Sequence, residues 1–276
     1  MPFNLDVVID SPPDEHVDMK AALETLQGAS TATRLIAETI LEEKVPKHLT
    51  HKGKVRTSLK QSFKGSYGHE FCIEIYDENL KKKFSRIGKA TFVEMLTYFI
   101  SESLYLESKA LSEKSQKIID RLKGTAEALI EQLRVSALKD IHTISTNFDR
   151  DVKIRFRENR YEQTIIGVFN QTTARVLHTT ESIKVETLLV GITRLNIHTG
   201  NGRLIVKGES ETVAFGFTIQ YKQVRLTAKK IFSENLDHNN GLEEEQWKYL
   251  RITTTPLLLK DGKIIKYIIR SVAHAE

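Results

Sequence analysis

One cysteine, Cys72, is present in a chain of 276 residues. That excludes an internal disulfide and any multi-cysteine zinc site. Prolines number only five and no tract is of low complexity, so the composition is not that of a disordered chain. No apolar run approaches the ~18 residues of a membrane span. The opening MPFNLDVVID carries acids where a signal peptide would carry Lys or Arg, so a cytoplasmic protein with no membrane contact is expected. Catalytic signatures are missing too. There is no Gly-x-Ser-x-Gly elbow, no His-Glu-x-x-His, no dinucleotide glycine fingerprint and no phosphate-binding loop. FKGSYGHE lacks the Lys-Ser/Thr ending and the helix start that such a loop requires. No catalytic residue and no cofactor is therefore assigned.

What remains is the composition of a globular protein, 28% charged and 40% hydrophobic, long enough for one large domain or two ordinary ones. Charge is uneven along it. Residues 1–150 hold 22 Lys and Arg against 22 Asp and Glu, and residues 151–276 hold 19 against 14, so the net of +5 falls on the second half. That asymmetry points to an anionic partner for the C-terminal part, against the plainer reading of a solubility charge.

The chain is organised around Val185 to Lys207. Apolar residues at Leu188, Val190 and Ile192 change parity to Leu195 and Ile197, which predicts a bulge near Thr193 and Arg194. Gly191 suits a sharply coiled strand, and Asn201-Gly202 suits a two-residue turn. Val213, Phe215, Phe217 and Ile219 then predict a third strand with one core face. A short helix follows through Ala228, Ile231, Phe232 and Asn235, closed by Asp237 to Gly241. Residues 247–255, broken by Pro256, and 263–272, after an Asp261-Gly262 turn, supply two more strands. Three strands, a helix and two strands is the order of an oligonucleotide/oligosaccharide-binding (OB) barrel; an SH3-like barrel with 222–245 inserted is the alternative.

In the first half, residues 3–9 predict a strand, Asp18 an N-cap, and Met19, Ala22, Leu23 and Leu26 a helix ending at Gly28, with Ser30 capping the next. Alternation over 54–77 predicts a hairpin pairing Leu59 with Ile75 and Phe63 with Phe71 around a Ser66-Tyr67-Gly68 loop. Lys60 then faces Glu74, and Cys72 shares the polar face with Glu74 and Tyr76. Lys81-Lys82-Lys83 reads as a solvated run in a connector. Residues 91–106 predict a helix covering the hairpin sheet. The stripe Ile119, Leu122, Ala126, Leu129, Leu133, Ala137, Ile141 and Ile144 predicts a single helix of about thirty residues, ~45 Å long. Residues 147–183 lean towards strands.

The expected organisation is α+β. It comprises an N-terminal domain over 1–110 with a hairpin-centred sheet and helices, a long connecting helix over 111–146, and a small OB- or SH3-like barrel over 147–276. On the barrel, Arg194, Arg203 and Lys207, with Tyr221, Lys222 and Arg225 after the third strand, are the residue types that grip a single strand of nucleic acid. Trp247, Tyr249 and Tyr267 are the aromatics on offer. Metal readings rest on weaker groupings: Asp6, Asp10, Asp14 and Asp18 at intervals of four, His48, His51 and His69 as a three-His site, and Glu70 and Glu74 with Asp6 or Asp10 as a nuclease-like cluster.

VGITRLNIHTGNGRLIVKGE with KDGKIIKYIIRSV resembles the C-terminal barrel of uncharacterised two-domain bacterial proteins. LETLQGASTATRLIAETIL and SFKGSYGHEFCIEIYD are similar to their N-terminal α+β domain. The resemblance spans nearly the whole chain and brings no functional residues with it; the mobile and phage-defence neighbourhoods of such families imply a defence role. The expected function is thus non-enzymatic recognition or assembly, with a protein partner or by self-association through the long helix. Nucleic-acid binding through the basic barrel is the alternative, and a metal-dependent nuclease is the outside enzyme reading.

Overall fold

The computed structural model describes residues 3–11, 16–63, 67–159 and 161–275. The chain forms two compact units, Met1–Leu177 and His178–Glu276. Among the described residues no helix is long and apolar enough to cross a membrane.

The first unit runs β1 (Phe3–Ile9), α1 (Met19–Glu42), β2 (Val55–Phe63), β3 (Tyr67–Ile75), α2 (Glu78–Ile87), α3 (Lys89–Ser103), α4 (Glu113–Leu122), α5 (Gly124–Val135), α6 (Ala137–Ile141), α7 (Thr143–Phe148), β4 (Val152–Arg157), β5 (Gln163–Phe169) and α8 (Gln171–Arg175). Its sheet is antiparallel throughout, in the order β2-β3-β1-β4-β5. β1 is central because both of its faces are satisfied. Phe3, Leu5, Val7 and Ile9 enter the core. On the other face the fully buried Asp6 carboxylate accepts two bonds from Arg155, at 2.7 and 3.0 Å, and one from Arg157 at 3.2 Å, the pairing that makes a buried carboxylate tolerable.

Several sequence expectations change here. The strands at 152–157 and 163–169, assigned above to the barrel segment 147–276, belong to this sheet, where β4 pairs with β1. The stretch after β5 is helical at α8, started by a capping box between Asn170 and Thr173. The stripe over 119–144 is not one connecting helix. It breaks at Lys123 (φ 47°), at Ser136 and at His142, so α5, α6 and α7 each turn their apolar side onto α1. Leu122, Leu129, Leu133, Ile141 and Ile144 are all buried in the unit's own core, which uses up the surface that self-association through this helix needed.

Gly28 does not end a helix either. α1 is continuous through it, and a Cβ there would lie 2.4 Å from Ile141 N and 2.8 Å from Ala137 O. The glycine lets the α1 and α6 backbones touch. The hairpin is four residues out from the expected register at its base, with Val55 opposite Ile75 and Leu59 opposite Phe71, and a bulge follows Leu59. Arg56, not Lys60, then faces Glu74, and Gly68 lies within β3 beside Phe63. Ser66 lies outside the described residues. Lys81 to Lys83 sit on α2 and not in a connector. α3 and the Asp18 cap, whose carboxylate accepts Ala21 N at 2.8 Å, agree with the sequence reading.

The second unit contains β6 (Thr180–Glu181), β7 (Glu186–Leu195), β8 (Gly202–Val206), β9 (Thr212–Phe217), α9 (Leu226–Asn239), β10 (Leu250–Leu258) and β11 (Ile264–His274). Five strands close on themselves in the order β7-β8-β9-β11-β10, with β10 returning to β7 and β6 appended to β10. All barrel pairs are antiparallel except β9 with β11. Val190, Ile192, Leu204, Phe215, Ile252 and Ile269 fill the interior, with Phe232 of α9 plugging one end. The expected bulge falls between Ile192 and Arg194, and Gly262 turns with φ 87°. Ile219 lies beyond β9 and is exposed. Pro256 does not break β10. It pairs with Tyr267 on one side, and on the other it falls where β7 has ended and β6 has not begun, so its missing N–H costs no ladder bond.

Candidate functional site

The outer wall of the barrel beside the β7–β8 connection is where candidate side chains converge. Out-of-barrel positions alternate with the buried ones, so Arg203 on β8 and Arg194 just past the β7 bulge both point outward, and the two are direct partners across the strands. Arg203 is held along the edge of β9: its guanidinium donates to Thr212 Oγ1 and to Thr212 O, both at 2.7 Å. Ala214 and Gly216 keep the adjacent wall low. Lys266 reaches this wall from β11, pairing with Ala214 in the parallel ladder and donating from Nζ to Asn201 Oδ1 at 3.3 Å. Three cations thus rim a patch of small residues.

The connection beside them is a built loop and not the expected two-residue turn. Asn196 Oδ1 accepts His198 N at 2.9 Å and Thr199 N at 3.1 Å, and Asn196 O accepts Gly200 N at 2.7 Å. The left-handed residue is Gly200 (φ 73°), and Gly202 already belongs to β8. A side chain at Gly200 would run into the Tyr221 ring.

The remaining expected residues separate. Tyr221 is buried under that loop, 5.4 Å from the Phe217 ring with the Lys229 ammonium 4.6 Å above it. Burial pushes its hydroxyl pKa up. It supports the loop and offers no face to a base. Lys222 and Arg225 are exposed in the connection to α9. Lys207 lies four residues beyond Arg203, about 13 Å along the strand, against the Tyr249 ring. Tyr267 is a core residue. Trp247 is half-buried over Gly191, where a Cβ would meet its ring at 2.7 Å, so the glycine serves that contact. Stacking platforms are accordingly missing from Tyr221, Trp247, Tyr249 and Tyr267, none of which is exposed.

The charge argument also changes with the boundary. Divided at Leu177, the first unit has 27 Lys and Arg against 25 Asp and Glu, and the second 14 against 11. The excess is thus shared, +2 on the first unit and +3 on the second, and does not by itself single out the barrel. Sequence reasoning missed Lys266 and Asn201, since the parallel pairing that brings Lys266 to Ala214 joins residues more than fifty apart.

The metal-type groupings are engaged by protein donors. Asp6 is held by two arginines, Asp10 by Lys153 at 2.6 Å, and Asp18 caps α1; Asp14 lies outside the described residues. Glu74 accepts from Ser58 and Tyr76, and Glu70 from Gln61. Among the described residues no three His, Cys, Asp or Glu side chains gather as a metal site. Cys72 is buried, and that burial raises its thiol pKa, the reverse of what a nucleophilic thiol needs. Comparison with family models, curated proteins and solved structures returned no match.

Proposed function

We propose that the protein is a non-enzymatic recognition protein whose C-terminal barrel is of OB type and holds a single strand of nucleic acid by its phosphates. The carrying observation is the grouping of Arg194, Arg203 and Lys266 on one outer wall around Ala214 and Gly216. The strand order supports the OB assignment: the third and fifth strands close the barrel in parallel, and a helix lies between the third and fourth. An SH3-like barrel, a simple meander in which the first strand pairs with the last, does not account for the parallel pair and takes the helix only as an insertion over 222–245.

With no exposed aromatic pair on this wall, affinity comes from charge and depends steeply on salt, with little preference among bases. The defence setting implied by the resemblance is compatible with such a strand binder.

Fluorescence polarisation of labelled oligonucleotides tests this directly. Single-stranded DNA or RNA binds at low salt, and duplex of the same sequence binds more weakly. No binding of any strand at low salt would remove the proposal and leave a protein partner as the barrel's ligand.

A further inference from the structure

A second basic site lies in the first unit, where α1, α2 and α4 meet in a cleft of about 400 Å³. We infer that this cleft binds a nucleoside polyphosphate, with its phosphates on the cations of α2 and α4 and its nucleoside on an isoleucine floor.

The cations are Lys82, Lys83 and Arg86 from α2 and Lys114 and Arg121 from α4. A single acid, Glu43, lines the same cleft, and it is bound to Lys83 at 2.7 Å. Among the described residues Lys82, Arg86, Lys114 and Arg121 form no ion pair; Lys114 Nζ donates to Arg86 O and Arg121 Nε to Lys117 O, and only Glu43 beside Arg121 and Glu78 beside Lys82 offset their charge at longer range. Spacing makes the concentration costly. Lys82 and Arg86 are four apart on one helix face, and like charges so placed repel; Lys114 and Arg121 lie two turns apart on another. A solvated surface run would have no reason to turn from two helices into one concavity.

The floor is apolar. Ile40, Ile87 and Ile118 line the bottom and are themselves buried. On α4, Ile118 sits between Lys114 and Arg121, so one helix face presents cation, apolar contact and cation in turn. The volume is within the ~300–1,000 Å³ of small-molecule pockets. Cations beside an apolar floor fit a ligand that carries several phosphates and a ring face better than a bare anion.

Titration calorimetry of the full chain with ATP, tripolyphosphate and adenosine tests the assignment. ATP is expected to bind, adenosine not, and tripolyphosphate more weakly than ATP. Arg86→Gln with Arg121→Gln is expected to weaken ATP about tenfold or more, with the unliganded melting temperature confirming the fold. Lys20→Gln with Lys139→Gln, the same charge change at exposed sites of the same unit outside the cleft, leaves ATP binding unaltered. Silence with ATP at low salt, indifference to the Arg86 and Arg121 changes, or tripolyphosphate binding as tightly as ATP each overturns the inference. So does binding of labelled oligonucleotide, but not ATP, that depends on these two arginines. The barrel proposal involves other residues and survives the first three outcomes; oligonucleotide binding that depends on Arg86 and Arg121 would count against it as well.

Discussion

The side-chain oxygen of Asn235 accepts the backbone N–H of Ile192 at 2.9 Å, at the position where β7 loses register with β8. A bulge leaves a backbone group without its ladder partner, and a helix residue supplies the missing bond. The same Asn235 donates to Lys248 O at 2.8 Å, and Asn239 one turn on brackets Lys248 through both its N–H and its C=O. α9 therefore fixes the bend of the first barrel strand and the entry to the fourth, which sets where Arg194 emerges.

Asn235→Ala is expected to destabilise the second unit by about 1–3 kcal/mol, the cost of leaving buried polar groups unpaired. Urea unfolding monitored by Trp247 fluorescence reads this out. A change smaller than a few tenths of a kcal/mol would mean that the bulge holds its shape without the clamp.

Gly28 gives a test with a sign. In an open helix interior Gly→Ala stabilises by up to about 1 kcal/mol. Here the added methyl meets the Ile141 and Ala137 backbone, so Gly28→Ala is expected to lower the melting temperature. A rise would show that α1 and α6 can separate at no cost.

Glu94 supplies a pH dependence. Burial works to raise its pKa, but acceptance from Ser112 N, Ser112 Oγ and Ser115 Oγ outweighs that and holds the folded value below the usual 4.5. A depressed folded pKa contributes stability above the unfolded value and loses it as pH falls through the folded one. The stability difference between wild type and Glu94→Gln is thus expected to be constant near neutrality and to shrink as pH drops below about 4.5. A gap independent of pH would contradict the role assigned to the charge.

Tyr221 separates support from contact. Tyr221→Phe keeps the ring under the Gly200 loop and is expected to leave strand binding unaltered, whereas Tyr221→Ala opens a cavity and costs about 3–5 kcal/mol. Loss of binding in the Phe variant, with stability kept, would restore the hydroxyl as a ligand contact.

Features set by near neighbours in sequence were legible. The Asp18 cap, the α3 stripe, the Gly262 turn, the alternation of β9 as far as Phe217 and the parity change at the β7 bulge each depend on residues a few positions apart, and each appears where the pattern put it. The order of barrel elements followed from them. What stayed hidden depends on distant partners. Gly28 read as a stop because α6 was invisible. The stripe over 119–144 read as one straight helix because nothing local shows that it wraps α1. β4 read as a barrel strand because its partner, β1, lies almost 150 residues earlier. At the candidate site the same division holds: the facing of Arg194 and Arg203 was within reach of local reasoning, but the arrival of Lys266 and the burial of Tyr221 were set by the closing of the barrel.

The most direct test is the salt dependence of single-strand binding by wild type and by Arg194→Gln/Arg203→Gln/Lys266→Gln, with melting temperatures confirming that both are folded. Each phosphate contact on a single strand contributes about −0.7 to the slope of log K against log salt. Loss of three contacts is therefore expected to flatten the slope by about 2 and to weaken binding at low salt. Identical slopes for the two proteins would contradict the account, since the strand would then be held somewhere other than this wall.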